Sequence, residues 1–292
     1  MGRIDEALRR AGGGSGSAPV GCGNVASPWA FGPEGVKPTG PSRPKSASDN
    51  GTSSNAQSSW RFREFSDAWR DRLIGSSSID SALVEQFRRL AATLHHLQTT
   101  NNLKVVMVTS ATPGDGKTMT SMNLALVLSG SYGRRVLLID ADLRRPSIQS
   151  LSQMPDSPGL SDALKADGEQ KLAVVPLTEN LVLLPAGHAQ ADPMSALTSP
   201  RMEQILEEAE ERFDWVIVDA PPVAPVADAS LLAERIGAIV FVVRAARTPY
   251  AAVKKAIETL GRERILGIVL NGVTTTPDGY YGYGEYSSAG RE

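Results

Sequence analysis

The run from Ser110 to Thr118, SATPGDGKT, follows an apolar segment and opens a stretch with helical spacing. A glycine-rich turn ending in Gly-Lys-Thr between a strand and a helix is the context a phosphate-binding loop requires. The loop through Pro113, Gly114, Asp115, Gly116, Lys117 and Thr118 would surround phosphates with backbone N–H groups and a helix N-terminus. Lys117 would neutralise β/γ-phosphate charge, and the Thr118 hydroxyl would coordinate Mg²⁺. Ala111 stands where the GxxxxGK[ST] pattern carries its first glycine. A chance Gly-Lys-Thr at a helix start is the bland alternative. The preceding strand and the acids that follow favour nucleotide binding.

A second apolar run, VLLIDADLRRP over 136–146, ends in Asp140 and Asp142. Residues two apart in extended chain point the same way. Two carboxylates facing phosphates call for a cation between them, and Mg²⁺ prefers oxygen ligands. One of these acids alone could cap a turn; the pair fits that role poorly. Arg144 suits either a phosphate or another subunit. A third run, WVIVDAPP, ends in Asp219 and reads as a Walker B acid that orients Mg²⁺ or its waters. Asp228, Arg244 and Asn271 are softer candidates. Asn271 fits two uses, a hydrogen bond to adenine or a turn with Gly272.

These residues need elements to hold them. Strands are expected at 104–109, 136–139, 181–184, 215–218, 238–243 and 265–270. Helices are expected at 79–97, 118–130, 200–212, 228–234 and 249–261. Leu83, Phe87, Leu90 and Leu94 give the first helix its apolar spacing. Continuous apolar strands separated by helices indicate an α/β fold, a mostly parallel sheet covered on both faces. Ligands of such sheets bind at the carboxyl ends of the strands.

Composition narrows the rest. The 292 residues carry a formal net charge of -2, which gives no global reason to expect nucleic-acid binding. Cys22 is the only cysteine, which excludes disulfides and Cys-built metal centres within one chain. No apolar run approaches the roughly 20 residues of a spanning helix. The charged start does not read as a signal peptide, and Glu6 does not fit a myristoylation signal.

Three regions are expected: a flexible N-terminal region with docking elements at 1–78, a P-loop domain at 79–273, and a tyrosine-rich tail at 274–292. Of residues 12–59, 26 of 48 are Gly, Ser or Pro, too few apolar groups to offset ordering entropy. Trp60, Phe62, Phe65, Trp69 and Leu73 then interleave with charges, which suits docking on the chain's own domain or on a partner. The first 75 residues hold ten Lys/Arg against seven Asp/Glu, too slight a surplus to anchor a membrane alone. Tyr280, Tyr281, Tyr283 and Tyr286 are four of the chain's six tyrosines.

The loop at 110–118, the DADLRRP and VIVDAPP segments and the tyrosine tail together resemble the bacterial tyrosine kinases of the CpsD/CapB type. The resemblance covers about 80–292. It implies a P-loop NTPase fold related to the MinD/ParA ATPases, with ATP and Mg²⁺ as cofactors. It further implies autophosphorylation of the tail tyrosines in exopolysaccharide or capsule synthesis. A membrane-anchored chain-length regulator would activate the kinase, which places it in the cytoplasm at the inner membrane. A homo-oligomer, a cognate tyrosine phosphatase and no nucleic-acid partner complete the implied set. Carried over by position, Lys117 and Thr118 are the Walker A pair, Asp140 and Asp142 the second acidic motif, and Asp219 the Walker B acid. Asp140 is the implied acceptor of the tyrosine proton, a useful role because free tyrosine has a pKa near ~10. The family's ExxRxxR assembly pattern matches here at Glu85 and Arg88 but meets Ala91 at its third place.

Two other readings fit part of the pattern. A MinD/ParA-type switch ATPase would carry a second lysine five residues before Lys117, where this chain has Thr112. A nucleotide-loaded scaffold would use the tail only for docking.

Overall fold

The computed structural model describes residues 29–30, 67–76, 78–151, 157–165 and 172–273. The tail tyrosines, Trp60, Phe62, Phe65 and Cys22 lie outside them.

Element order follows the alternation of apolar runs and helical spacing. In chain order the elements are β1 (Trp29–Ala30), α1 (Asp67–Arg70), α2 (Ser81–Asn101), β2 (Val105–Ser110), α3 (Lys117–Gly130) and β3 (Val136–Asp140). Then come α4 (Ile148–Leu151), α5 (Leu160–Lys165), β4 (Leu172–Ala173), β5 (Val175–Pro176), β6 (Leu181–Leu184), α6 (Met194–Leu197) and α7 (Pro200–Arg212). The last are β7 (Trp215–Asp219), α8 (Asp228–Ile236), β8 (Ile239–Arg244), α9 (Tyr250–Leu260) and β9 (Ile265–Asn271).

Seven strands form one sheet in the order β5-β6-β3-β7-β2-β8-β9. All neighbours are parallel except β5, which runs antiparallel to β6. The mostly parallel sheet is therefore as expected. The β5 edge and the short helices α4 to α6 carry too few apolar positions to stand out from the sequence. The inner strands β2, β3 and β7 are buried along their whole length, as strands covered on both faces must be. One cluster of apolar side chains fills each face: Leu137, Phe241 and Ile205 belong to one, Leu138, Trp215 and Leu124 to the other.

Local signals set the helix ends. Asp80 caps α2 by accepting from the Ala82 N–H at 2.9 Å, and Ser199 caps α7 ahead of Pro200. Helix α3 has no side-chain cap; Gly116 precedes it at φ 101°. Its first N–H groups are left to the loop and to whatever ligand the loop holds.

Helix α2 departs from expectation at one position. Phe87, Ala91 and Leu94 are buried, but Leu83 is 41% exposed. The first turn reaches the core only through half-buried Val84, and Leu83 stands off it. Residues 67–76 pack beside it. Leu73 is fully buried, and both polar atoms of the Asn123 side chain are spent on this segment. Asn123 Oδ1 accepts the Ile74 N–H at 2.8 Å, and Nδ2 donates to the Arg72 carbonyl at 3.1 Å.

Candidate active site

Strand order puts the motifs side by side. Strand β7 lies between β2 and β3, so the phosphate loop after β2, the Asp140 segment after β3 and Asp219 at the end of β7 meet at one edge. Asp140 and Asp219 are direct register partners. A cavity of about 880 Å³ opens above them. Pro113, Gly114, Gly116, Lys117, Thr118, Asp142 and Asn271 line it, whereas Asp115, Asp140 and Asp219 do not.

The loop is braced from within. Asp115 turns inward, accepting from the Thr112 N–H and hydroxyl at 3.0 Å each and from the Thr248 hydroxyl at 2.7 Å. Its side chain is thus a strut of the loop and no part of the cavity wall. Asn271 Nδ2 donates to the Asp115 carbonyl at 2.8 Å, and a Cβ at Gly116 would stand 2.0 Å from that nitrogen. Gly116 is required twice over, by its positive φ and by this approach. Arg244 donates to the Gly114 carbonyl at 3.1 Å. Ala111 is buried in the core, and the only described non-glycine residues with positive φ are Asn102 and Ala246. The first position of the loop therefore needs no glycine here.

Three carboxylates and one ammonium converge behind the loop. Lys117 Nζ donates to Asp142 Oδ2 at 3.0 Å. Burial works against its charge, but Asp219, Asp142 and Asp140 together outweigh it and hold the ammonium above its ordinary pKa. Asp140 is fully buried and accepts three backbone N–H groups, from Asp142, Ser147 and Ile148, at 3.2, 3.3 and 3.1 Å. Burial, reinforced by the charge of Asp219, pushes its carboxyl up to about 7, against those N–H groups and Lys117. Burial likewise raises Asp219, with Lys117 and the nearby Thr118 and Ser121 hydroxyls opposing. One Asp219 oxygen lies 3.0 Å from the Ser121 hydroxyl; Oδ2 is buried without a hydrogen-bond partner among the described residues.

This donor set fits Mg²⁺. It offers hard oxygens only, and the orphaned Asp219 oxygen is what an inserted cation or its water would satisfy. Among the described residues no group of three or more His, Cys, Asp or Glu side chains is disposed to hold a metal. Mg²⁺ at phosphate sites takes one or two carboxylates and fills the rest with phosphate and water, so it needs no such cage.

Several predicted residues take other places. Asp140, the implied proton acceptor, sits beneath the cavity and shapes the 142–148 turn, while Asp142 reaches the wall. Arg144 lines the cavity and is held there by partners within the chain. It forms a fork on Asp228, 2.6 and 3.1 Å, also bonds the Ala191 carbonyl and lies 3.7 Å from Asp192. That pair ties the acidic turn to the start of α8. Residues that sequence reasoning missed include Ser147, whose hydroxyl is 3.2 Å from that of Thr118, and Ser121 on Asp219. A lone serine carries no signal until the fold brings it to a partner. Ala91 is buried, so the third place of the assembly pattern faces the core, while Glu85 and Arg88 form an exposed pair at 3.7 Å.

Comparison with known proteins follows the same lines. A family model described as an AAA domain matches residues 103–245. The tyrosine-protein kinase YwqD of Bacillus subtilis is 34% identical over 202 residues, spanning 68% of this chain and 85% of that protein. The succinoglycan biosynthesis transport protein ExoP of Rhizobium meliloti is 33% identical over 197 residues, 65% of this chain but only 25% of that one. Among solved structures, the kinase domain of the Escherichia coli tyrosine kinase ETK superposes with a TM-score of 0.62 at 32% identity, covering 69% of this chain and 80% of that chain.

Proposed function

Because the chain belongs to the family of bacterial tyrosine-protein kinases, we propose that it is an ATP-dependent autokinase of its own tail. The observation that carries this reading is the Lys117–Asp142 pair on the wall of the cavity, beside the open N-terminus of α3.

Phosphate oxygens bind the N–H groups of the loop and compete with Asp142 for Lys117. Lys117 then holds the phosphates in place, and Asp142 becomes available to an incoming hydroxyl. Thr118, Asp142 and Asp219 are the residues that would hold Mg²⁺, which supplies charge neutralisation to the transferring phosphoryl group. In the transfer, the tyrosine oxygen forms a bond to the γ-phosphorus and the bond from that phosphorus to the β,γ-bridging oxygen breaks. The phenol proton passes to a carboxylate, and ADP leaves. We assign that proton to Asp142, because geometry comes before pKa in choosing a base and Asp140 is sealed under the turn. Asp140 keeps the turn in shape.

Chain connectivity supports this use of the tail. Gly272, just past β9, lines the cavity. Tyr280 follows eight residues later, a reach of up to about 28 Å. Tyr280, Tyr281, Tyr283 and Tyr286 are the proposed acceptors, in the same chain or in a neighbouring copy. By likeness to ExoP the kinase would serve exopolysaccharide synthesis and export, activated by a membrane-anchored chain-length regulator and reversed by a tyrosine phosphatase. Among the described residues no helix is long and apolar enough to cross a membrane, so attachment through such a partner is the arrangement we favour. Oligomerisation would use the Glu85–Arg88 face without help from position 91.

The test is incubation of the full chain with Mg-ATP beside Lys117→Met, followed by intact mass and mapping of the C-terminal peptide. Phosphate on the tail that vanishes in the variant is the expected result. ATP hydrolysis with an unlabelled tail, in the presence of other copies and of the activator, would overturn the kinase in favour of a switch ATPase.

A further inference from the structure

The cavity is walled differently at its two ends. At one end stand Lys117, Thr118, Asp142, Arg145 and Ser147, all charged or hydroxylated. At the other, Trp69, Leu83, Phe87 and Met119 supply apolar wall from α1, α2 and the first turn of α3. Arg72 follows Trp69 in the same segment and also lines the cavity.

Cations outnumber anions on these walls. Arg72, Lys117, Arg144, Arg145 and Arg244 line the cavity against one carboxylate, Asp142. Three of the five are already engaged. Lys117 holds Asp142, Arg144 forks on Asp228, and Arg244 donates to the Gly114 carbonyl. Arg72 and Arg145 are exposed, and neither guanidinium has a partner among the described residues.

Of these two, Arg145 is fixed to the carboxylate assigned above to the tyrosine proton. Asp142 Oδ1 accepts the Arg145 N–H at 3.2 Å, while Oδ2 accepts from Lys117. The Arg145 side chain therefore starts beside that acid and extends from it into the cavity. Residues one or two places from a tyrosine in extended chain lie about 3.5–7 Å away. An acid at such a place comes within reach of the guanidinium when the tyrosine meets Asp142. The tail has acids there. Asp278 stands two residues before Tyr280, Glu285 directly precedes Tyr286, and no Lys or Arg falls between 278 and 286.

We propose that Arg145 selects the tail as substrate by pairing with the acid beside the acceptor tyrosine, Asp278 or Glu285. The inference rests on the autokinase reading above and adds to it the residue that reads the sequence around the tyrosine. A guanidinium suits this work because its planar fork matches a carboxylate. A pair at the exposed rim of a site governs capture of the partner more than the chemistry that follows.

The test is the initial rate of tail phosphorylation in the full chain, read by mass spectrometry of the C-terminal peptide, with calorimetric binding of Mg-ATP alongside. Arg145→Glu should slow labelling about tenfold, since it turns an attraction into a repulsion. Asp278→Lys combined with Glu285→Lys should slow it by a similar factor. All three changes together should bring the rate back to within about threefold of the native one, because the pair is restored with its charges exchanged. Mg-ATP affinity should be the same in every variant. A triple variant as slow as Arg145→Glu would overturn the proposal. So would a loss of Mg-ATP affinity in Arg145→Glu equal to its loss of labelling, because the guanidinium would then serve the nucleotide phosphates. Recovery in the triple variant also shows that Arg145→Glu folds. A native chain that labels no tail removes the kinase reading and this one with it. A native chain that labels its tail at a rate the charge exchange does not touch removes this one alone.

Discussion

The charged and the aromatic ends of the cavity hold their side chains by opposite means. At the charged end, Asp140 and Asp219 are fully buried and survive there through backbone N–H donors, a serine hydroxyl and the Lys117 ammonium. Removing any one partner leaves a charge uncompensated in a poor solvent. At the aromatic end Trp69, Leu83, Phe87 and Met119 supply apolar wall, and Asn123 ties the 72–74 backbone to α3. Losing a contact there costs packing and affinity but strands no charge. The comparison teaches how the two ends respond to change: a substitution among the charged groups strands a buried charge, whereas one among the apolar groups costs packing.

The largest effect should come from Lys117→Met, which leaves three buried acids without their cation. Tail phosphotyrosine should fall by at least about a hundredfold, read by mass spectrometry of the C-terminal peptide. If labelling survived, the charged end would not be where transfer is decided. Asp142→Asn should come next. Transfer should drop by about 10²–10⁴-fold while binding of metal-free nucleotide persists or strengthens, since Lys117 loses its competitor. Comparable loss of binding and transfer would mean that Asp142 serves the phosphates and not the hydroxyl.

At the aromatic end, Leu73→Ala should cost about 2–5 kcal/mol if its pocket stays open. The loss should be confined to the segment's docking, seen as faster proteolysis within 67–76 and weaker ATP binding, with the sheet still protected. Global unfolding at the same denaturant as the segment would show that the two regions are one cooperative unit.

The smallest expected effect is on pH dependence. The folded-state carboxyl of Asp140 is raised to about 7, well above its ordinary value. Between about pH 4 and that point the folded chain holds more protons than the unfolded one, so stability contributed by this group falls as pH rises. Metal-free protein should therefore lose more stability between about pH 5 and pH 8 than Asp140→Asn does, measured by urea unfolding. Equal pH slopes would remove the buried acid pair as a source of instability.

Much of the charged end was legible because its residues cluster in three short runs, each tied to a strand end. Lys117, Thr118, Asp140, Asp142 and Asp219 all meet at one sheet edge, as phosphate chemistry at the carboxyl ends of parallel strands requires. Which acid faces the cavity was not legible. Two residues apart in sequence, Asp140 and Asp142 were expected to point alike, but the chain turns after Asp140 and gives them opposite duties. Arg144 could not be placed either, because its partner Asp228 is 84 residues away.

By itself the sequence determined the order of strands and helices, the phosphate loop and the acids behind it. Each depends on spacing over a few residues, through periodicity, backbone freedom at glycine and the fixed direction of neighbouring side chains. Only the tertiary structure decided that β7 lies between β2 and β3, that Asp142 and not Asp140 opens onto the cavity, and that Trp69 forms a wall of it. Those outcomes follow from packing and desolvation between segments distant in the chain, where the energy of a side chain is set by neighbours that its own stretch of sequence does not name.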